Sequence, residues 1–101
     1  MTIEELKKRL EKTGIPVAYN SFRYKIDPPF ICFLQTESVN FFADGEVYYS
    51  HGKYRVELYT DKKSIDLQSR IEAVLLGLTW ERNESFIEKE EIYQIVYEVE
   101  V

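Results

Sequence analysis

One cysteine, one histidine and four glycines are spread over this 101-residue chain, and each scarcity removes a class of chemistry. With Cys32 alone no internal disulfide can form, and its place inside the apolar run Phe30 to Leu34 reads as a buried core thiol. With His51 alone, a histidine metal cluster, a Cys/His zinc site and a two-histidine relay are excluded by counting. The glycines are too few and too scattered for a phosphate-cradling loop of the Walker or dinucleotide type. Long apolar runs are missing too: none approaches the roughly 18 residues that a membrane span needs. The opening Thr2-Ile3-Glu4-Glu5 carries no apolar signal segment, so the protein is expected to stay in the compartment where it is made. Basic groups are outnumbered 13 to 18, for a net charge of −5, and such a surface repels phosphate backbones and anionic headgroups. Neither a nucleic acid nor a membrane is an expected partner.

What remains is an ordinary globular composition, 45% hydrophobic and 31% charged, with an unusual aromatic share. Eight tyrosines and six phenylalanines favour strands and contact surfaces, because tyrosine joins an apolar ring to a polar tip. The length fits a single domain over residues 1–101.

The chain opens on a predicted helix. Thr2 and Glu5 form a capping box, while Ile3, Leu6 and Leu10 recur at helical spacing as one apolar stripe. Glu4 with Lys8 and Glu5 with Arg9 are i,i+4 pairs worth about 0.2–0.5 kcal/mol each. Gly14 and Pro16 end the helix near Thr13. A weak alternation from Val17 to Phe22 predicts a strand, and Asp27-Pro28-Pro29 an extended connection. Phe30-Ile31-Cys32-Phe33-Leu34 is apolar on both faces, which a strand tolerates when both are covered or when it lies centrally in its sheet.

The strongest β signal spans Asn40 to Thr60. Asp44-Gly45 fits a tight hairpin turn, which sets Phe42 against Val47 and Phe41 against Tyr48. A bulge is predicted near Gly52, after which Tyr54, Val56 and Leu58 share one face and Arg55 and Glu57 the other. Ser64 then caps a second helix with Leu67, Ile71, Val74, Leu75 and Leu78 on one side and Gly77 near its end. A short strand begins at Thr79, and a last strand runs from Ile92 to Val101. The predicted fold is α+β, in the order α-β-β-β(hairpin)-α-β-β, a mostly antiparallel sheet with two helices packed on one face. The other face then carries Arg55, Glu57, Tyr59, Gln94, Glu98 and Glu100, wet in a monomer or covered in an assembly.

No catalytic constellation emerges from the residues, so no enzyme activity, cofactor or metal is expected. His51, placed in a turn Ser50-His51-Gly52, reads as an exposed loop histidine. Glu88, Glu90 and Glu91 lack the alternating spacing of a calcium loop and read as a solvated turn. The hairpin aromatics Phe41, Phe42, Tyr48 and Tyr49 stand out. They either pack on their own sheet or anchor a neighbouring subunit, since buried aromatics dominate contact energies.

Several segments are similar to one family. The Thr2-Ile3-Glu4-Glu5-Leu6 helix, Gly14-Ile15-Pro16-Val17-Ala18-Tyr19, Pro28-Pro29-Phe30, Asn40-Phe41-Phe42-Ala43-Asp44-Gly45, Tyr54 through Lys63 and Ile92 through Val99 resemble the small prophage tail completion or tail terminator (head–tail joining) proteins of Gram-positive bacterial phages. One departure is Ile65, where a proline is expected after the cap Ser64. The resemblance implies a virion structural protein acting in tail completion or head–tail joining through protein contacts. Its expected partners are further copies of itself, in a ring that is often sixfold, and the tail tube and head connector proteins. It would occupy the bacterial cytoplasm during assembly and then the tail or neck of the virion. The expected interface residues are Phe41, Phe42, Tyr48, Tyr49, Arg55, Glu57 and Tyr59. A second reading is a host-directed prophage module that intercepts a bacterial protein through an open sheet edge or the hairpin.

Overall fold

A computed structural model describes residues 1–43 and 46–101, and of residues 39–43 and 46–51 it describes the backbone alone. The elements follow the predicted order: α1 (Ile3–Glu11), β1 (Val17–Tyr19), β2 (Phe30–Ala43), β3 (Glu46–Thr60), α2 (Ile65–Val74), β4 (Thr79–Ile87) and β5 (Ile92–Glu100).

Local chemistry explains the helix boundaries. Thr2 Oγ1 accepts from Glu5 N at 3.1 Å and Thr2 N donates to Glu5 Oε1 at 3.0 Å, so two amide groups left open at the helix start are satisfied reciprocally. That bond turns Glu5 back toward the cap, and among the described residues no Glu5–Arg9 or Glu4–Lys8 ion pair forms. The helix stops at Glu11, slightly before the predicted end, and Gly14 takes the left-handed conformation at φ 80° that favours a residue without Cβ. Ser64 Oγ accepts from Leu67 N at 3.2 Å and starts α2 in spite of Ile65, while Gly77, at φ 88°, turns the chain after it.

The five strands form one mixed sheet in the order β1-β2-β3-β5-β4. β1 pairs parallel with β2 and spans three residues, not the predicted run to Phe22, because only Val17 to Tyr19 lie against Ile31 to Phe33. All other pairings are antiparallel. β3 and β4 both run antiparallel to β5, so they are parallel to each other, with α2 in the crossover between them.

Register aligns the apolar positions in rows. Ile31 faces Leu58 and Leu58 faces Ile95, while Phe33 faces Val56 and Val56 faces Tyr97. One further row joins Tyr54, Val99 and Trp80. This face forms one buried cluster with Leu6 and Leu10 of α1, Ile71 of α2 and Leu75, the residue that caps α2. These four side chains are fully buried, each contributing about 1.5–3 kcal/mol by leaving water. Tyr97 meets the Trp80 ring edge-on at 5.4 Å.

β2 and β3 continue past this sheet. Among the described residues, pairing with β1 ends at Phe33 and pairing with β5 at Lys53, where Val101 adds two bonds to Gly52. From Ser38–Gly52 to Ala43–Glu46 the two strands pair as a ribbon, and the molecule is 52 Å long. Two irregularities interrupt the β2–β3 pairing, one before the ribbon and one within it. The one predicted near Gly52 lies on the opposite strand, where Thr36 is the extra residue and its Oγ1 donates to the Lys53 carbonyl at 3.2 Å. Gly52 serves close approach, since a Cβ there would meet Gln35 Nε2 at 3.1 Å. The second irregularity makes Tyr48 the extra residue, so Phe42 faces Val47 as expected, but Phe41 faces Tyr49 and not Tyr48. His51 is paired with Val39 inside β3 and not in a turn. The expected Asp44-Gly45 turn lies outside the described residues. Among the described residues, no helix is long and apolar enough to cross a membrane.

Candidate functional site

The face of the sheet away from the buried cluster carries three of the residues singled out from the sequence. Arg55, Glu57 and Tyr59 alternate along β3 and point to this side, because Tyr54, Val56 and Leu58 between them point into the core. Register sets Tyr59 opposite Gln94 and Arg55 opposite Glu98.

These side chains form a connected polar network. Glu57 Oε2 accepts from Arg55 Nε at 3.2 Å and from Gln94 Nε2 at 3.3 Å. The same Gln94 nitrogen donates to Tyr59 Oη at 2.9 Å, and Ser85 Oγ donates to Gln94 Oε1 at 3.3 Å. β3, β5 and β4 are thus tied across this face. The Glu57 side chain is only 14% exposed within a single copy of the chain, where this face was expected to be wet unless an assembly covers it. It can be buried because two donors satisfy it. Burial first, and then the Glu57 charge, push the Tyr59 phenol above its ordinary range. Farther along the face, Lys53 lies 3.5 Å from Glu37 and 3.6 Å from Glu100.

Beside the network the structure opens a cleft of about 670 Å³. Its floor is Cys32, Phe30, Glu57 and Tyr59, one wall is the 20–28 loop, and the other includes Asp61 and the β4–β5 turn at Glu90 and Glu91. The rings are ordered against one another: Phe30 stacks on Tyr59 at 4.9 Å, and Phe22 meets Phe30 edge-on at 5.7 Å. The loop covers the second apolar face of the Phe30–Leu34 run, which a strand with two apolar faces requires. Its Pro28–Pro29 peptide bond is cis.

Cys32 is buried, as expected, yet it lies under this cleft and outside the main apolar cluster. Burial and the nearby Glu57 carboxylate both push its thiol upward, the reverse of what an activated nucleophile needs.

Of the other expected interface residues, the side chains of Phe41, Phe42, Tyr48 and Tyr49 lie outside the described residues. Their backbones all belong to the β2–β3 ribbon. Sequence reasoning passed over the cleft itself. Phe22 and Tyr24 sit in a segment assigned partly to a strand, whereas Glu90 and Glu91 lie in the exposed turn that the sequence predicted, which also borders the cleft. The signal that could have found Phe22 and Tyr24 was the density of aromatics from Tyr19 to Phe30, a stretch that contains Pro28 and Pro29.

Compared with protein-family models the chain matches none, and no curated protein matches it.

Proposed function

We propose that this chain is a structural protein of a phage or prophage virion, acting in tail completion or head–tail joining through protein–protein contacts as a subunit of a ring. The observation that carries this reading is the β2–β3 ribbon, which from Val39–His51 to Ala43–Glu46 has no third strand beside it among the described residues. A two-stranded ribbon is marginal alone in water and gains stability by lying against another surface. This ribbon carries four large aromatics in its sequence, the residue type that anchors interfaces. The resemblance to tail completion and tail terminator proteins supplies the specific role.

The test is to purify the protein, measure its mass in solution across a concentration series, and add isolated tail tubes and connector. A closed oligomer, or binding to either partner, is the expected result. A chain that remains monomeric throughout and binds neither overturns the reading.

The outer edge of β4, nine residues long and without a neighbouring strand among the described residues, favours the second reading, a host-directed module that takes up a bacterial protein by strand addition. Timing separates the two. A structural subunit is made late and found in particles, whereas an interceptor is made early and left out of them.

A further inference from the structure

We propose that the cleft between the 20–28 loop, β3 and the β4–β5 turn binds an arginine-bearing basic peptide segment of another protein. The site goes beyond the assembly role and does not depend on it, because every residue that forms it comes from one copy of the chain.

The charge inside the cleft is one-sided. Asp27, Glu57, Asp61, Glu90 and Glu91 line it against a single ammonium group, that of Lys25. Glu57 is engaged by Arg55 and Gln94, but Asp27, Asp61, Glu90 and Glu91 are exposed and have no ion-pair partner among the described residues. Carboxylates gathered around a concavity without cations of their own create a potential that a cationic guest relieves.

Acidic groups alone would not distinguish a peptide from a metal ion. Among the described residues, no three Asp, Glu, His or Cys side chains are gathered as an ion would require. The cleft instead has an aromatic wall. Phe30 and Tyr59 are stacked and half-buried, Phe22 abuts Phe30, and Tyr24 is 71% exposed at the mouth. Ring faces beside carboxylates suit a guanidinium, which is planar, weakly hydrated and able to lie on a ring while donating to acids at its edge. Lysine, a strongly hydrated point charge, exploits the rings less. The volume, about 670 Å³, lies within the usual span of ligand clefts, which is about 300–1,000 Å³.

A second copy is the poorer match for this guest. The chain carries a net charge of −5, and the basic side chains of α1 and its cap, Lys7, Lys8, Arg9 and Lys12, are interspersed with Glu4, Glu5 and Glu11. A different, basic partner is the better source of the complementary charge.

The experiment is a heteronuclear NMR titration of the full chain with acetyl-Gly-Arg-Gly-Arg-Gly-amide, with the glutamine analogue of that peptide as the uncharged control. The expected result is a set of shifts confined to amides of the 20–28 loop, Tyr59, Asp61 and residues 90–92, which weaken as salt is added and are not produced by the control. In the double variant Asp27→Asn with Glu90→Gln, whose sites are exposed, affinity should fall about three- to tenfold. Tyr24→Ala tests the rings separately and should weaken the arginine peptide more than its lysine counterpart. Equal shifts from the glutamine peptide, unchanged affinity in the double variant, or shifts scattered elsewhere overturn the proposal. So does movement of the same amides with protein concentration alone, which would put a second copy in the cleft. Loss of ring assembly with intact peptide binding would count against the assembly reading and leave this one standing.

Discussion

The Tyr97 hydroxyl, on a fully buried side chain of β5, donates to Glu72 Oε2 of α2 at 3.0 Å, and the same carboxylate oxygen accepts from Arg82 Nη1 of β4 at 2.6 Å. One acid thus joins the second helix to two strands. Burial opposes its charge, but hydrogen bonds from Arg82, Tyr97 and Gln68 outweigh that and hold the Glu72 carboxyl below its ordinary range.

Tyr97→Phe removes the bond while keeping the ring that packs on Trp80. Glu72 keeps Arg82, so the expected loss is about 1–2 kcal/mol, read from the urea midpoint at unchanged slope. A variant as stable as the parent would mean that the hydroxyl contributes nothing to stability.

Acid should loosen the same junction. A carboxyl whose value is depressed in the fold contributes stability that is complete above the ordinary glutamate value of 4.5 and is lost as pH falls through the lower folded value. Melting temperature measured downward from pH 4.5 should fall, and Glu72→Gln should flatten that part of the curve.

Alkali acts through the phenols. Burial, followed by the Glu72 hydrogen bond, raises Tyr97, and burial leads the upward shifts of Tyr54 and Tyr59. For a raised group the stability is complete below the unfolded value, 10.0 for tyrosine, and declines as pH climbs past it, because the unfolded chain releases the proton first. Absorbance titration should show these three tyrosines ionising above 10.0, with Tyr97 ionising together with unfolding.

Cys32 should react slowly. It is 6% exposed, and burial together with Glu57 keeps the proton on the sulfur. Alkylation in the native state should lag well behind the rate in urea, and Glu57→Gln should recover part of the difference. Equal native and unfolded rates would show that the thiol is open to solvent.

The ribbon prediction concerns assembly. Phe41→Ser together with Tyr48→Ser should lower oligomer mass in light scattering while the far-ultraviolet spectrum persists. An unfolded product would place those rings in the core of their own subunit.

Short-range sequence patterns determined the order and type of the elements of this protein, though not the end of β1. The Thr2–Glu5 box, the Ser64 cap, Gly14 and Gly77, and the alternation through Tyr54, Val56 and Leu58 each act over a few residues, so spacing alone places them. The grouping of Arg55, Glu57 and Tyr59 on one face was legible for the same reason. Tertiary structure decided which strands are neighbours. Parallel pairing of Val17–Tyr19 with β2, insertion of β5 between β3 and β4, and the extra residues Thr36 and Tyr48 depend on contacts between distant segments. The cleft belongs to that second category, since Phe22, Cys32, Tyr59 and Glu90 meet only when a loop, two strands and a turn close over one another. No local periodicity encodes that closure, because its energy comes from covering the second apolar face of β2, a surface that exists only once the sheet has formed.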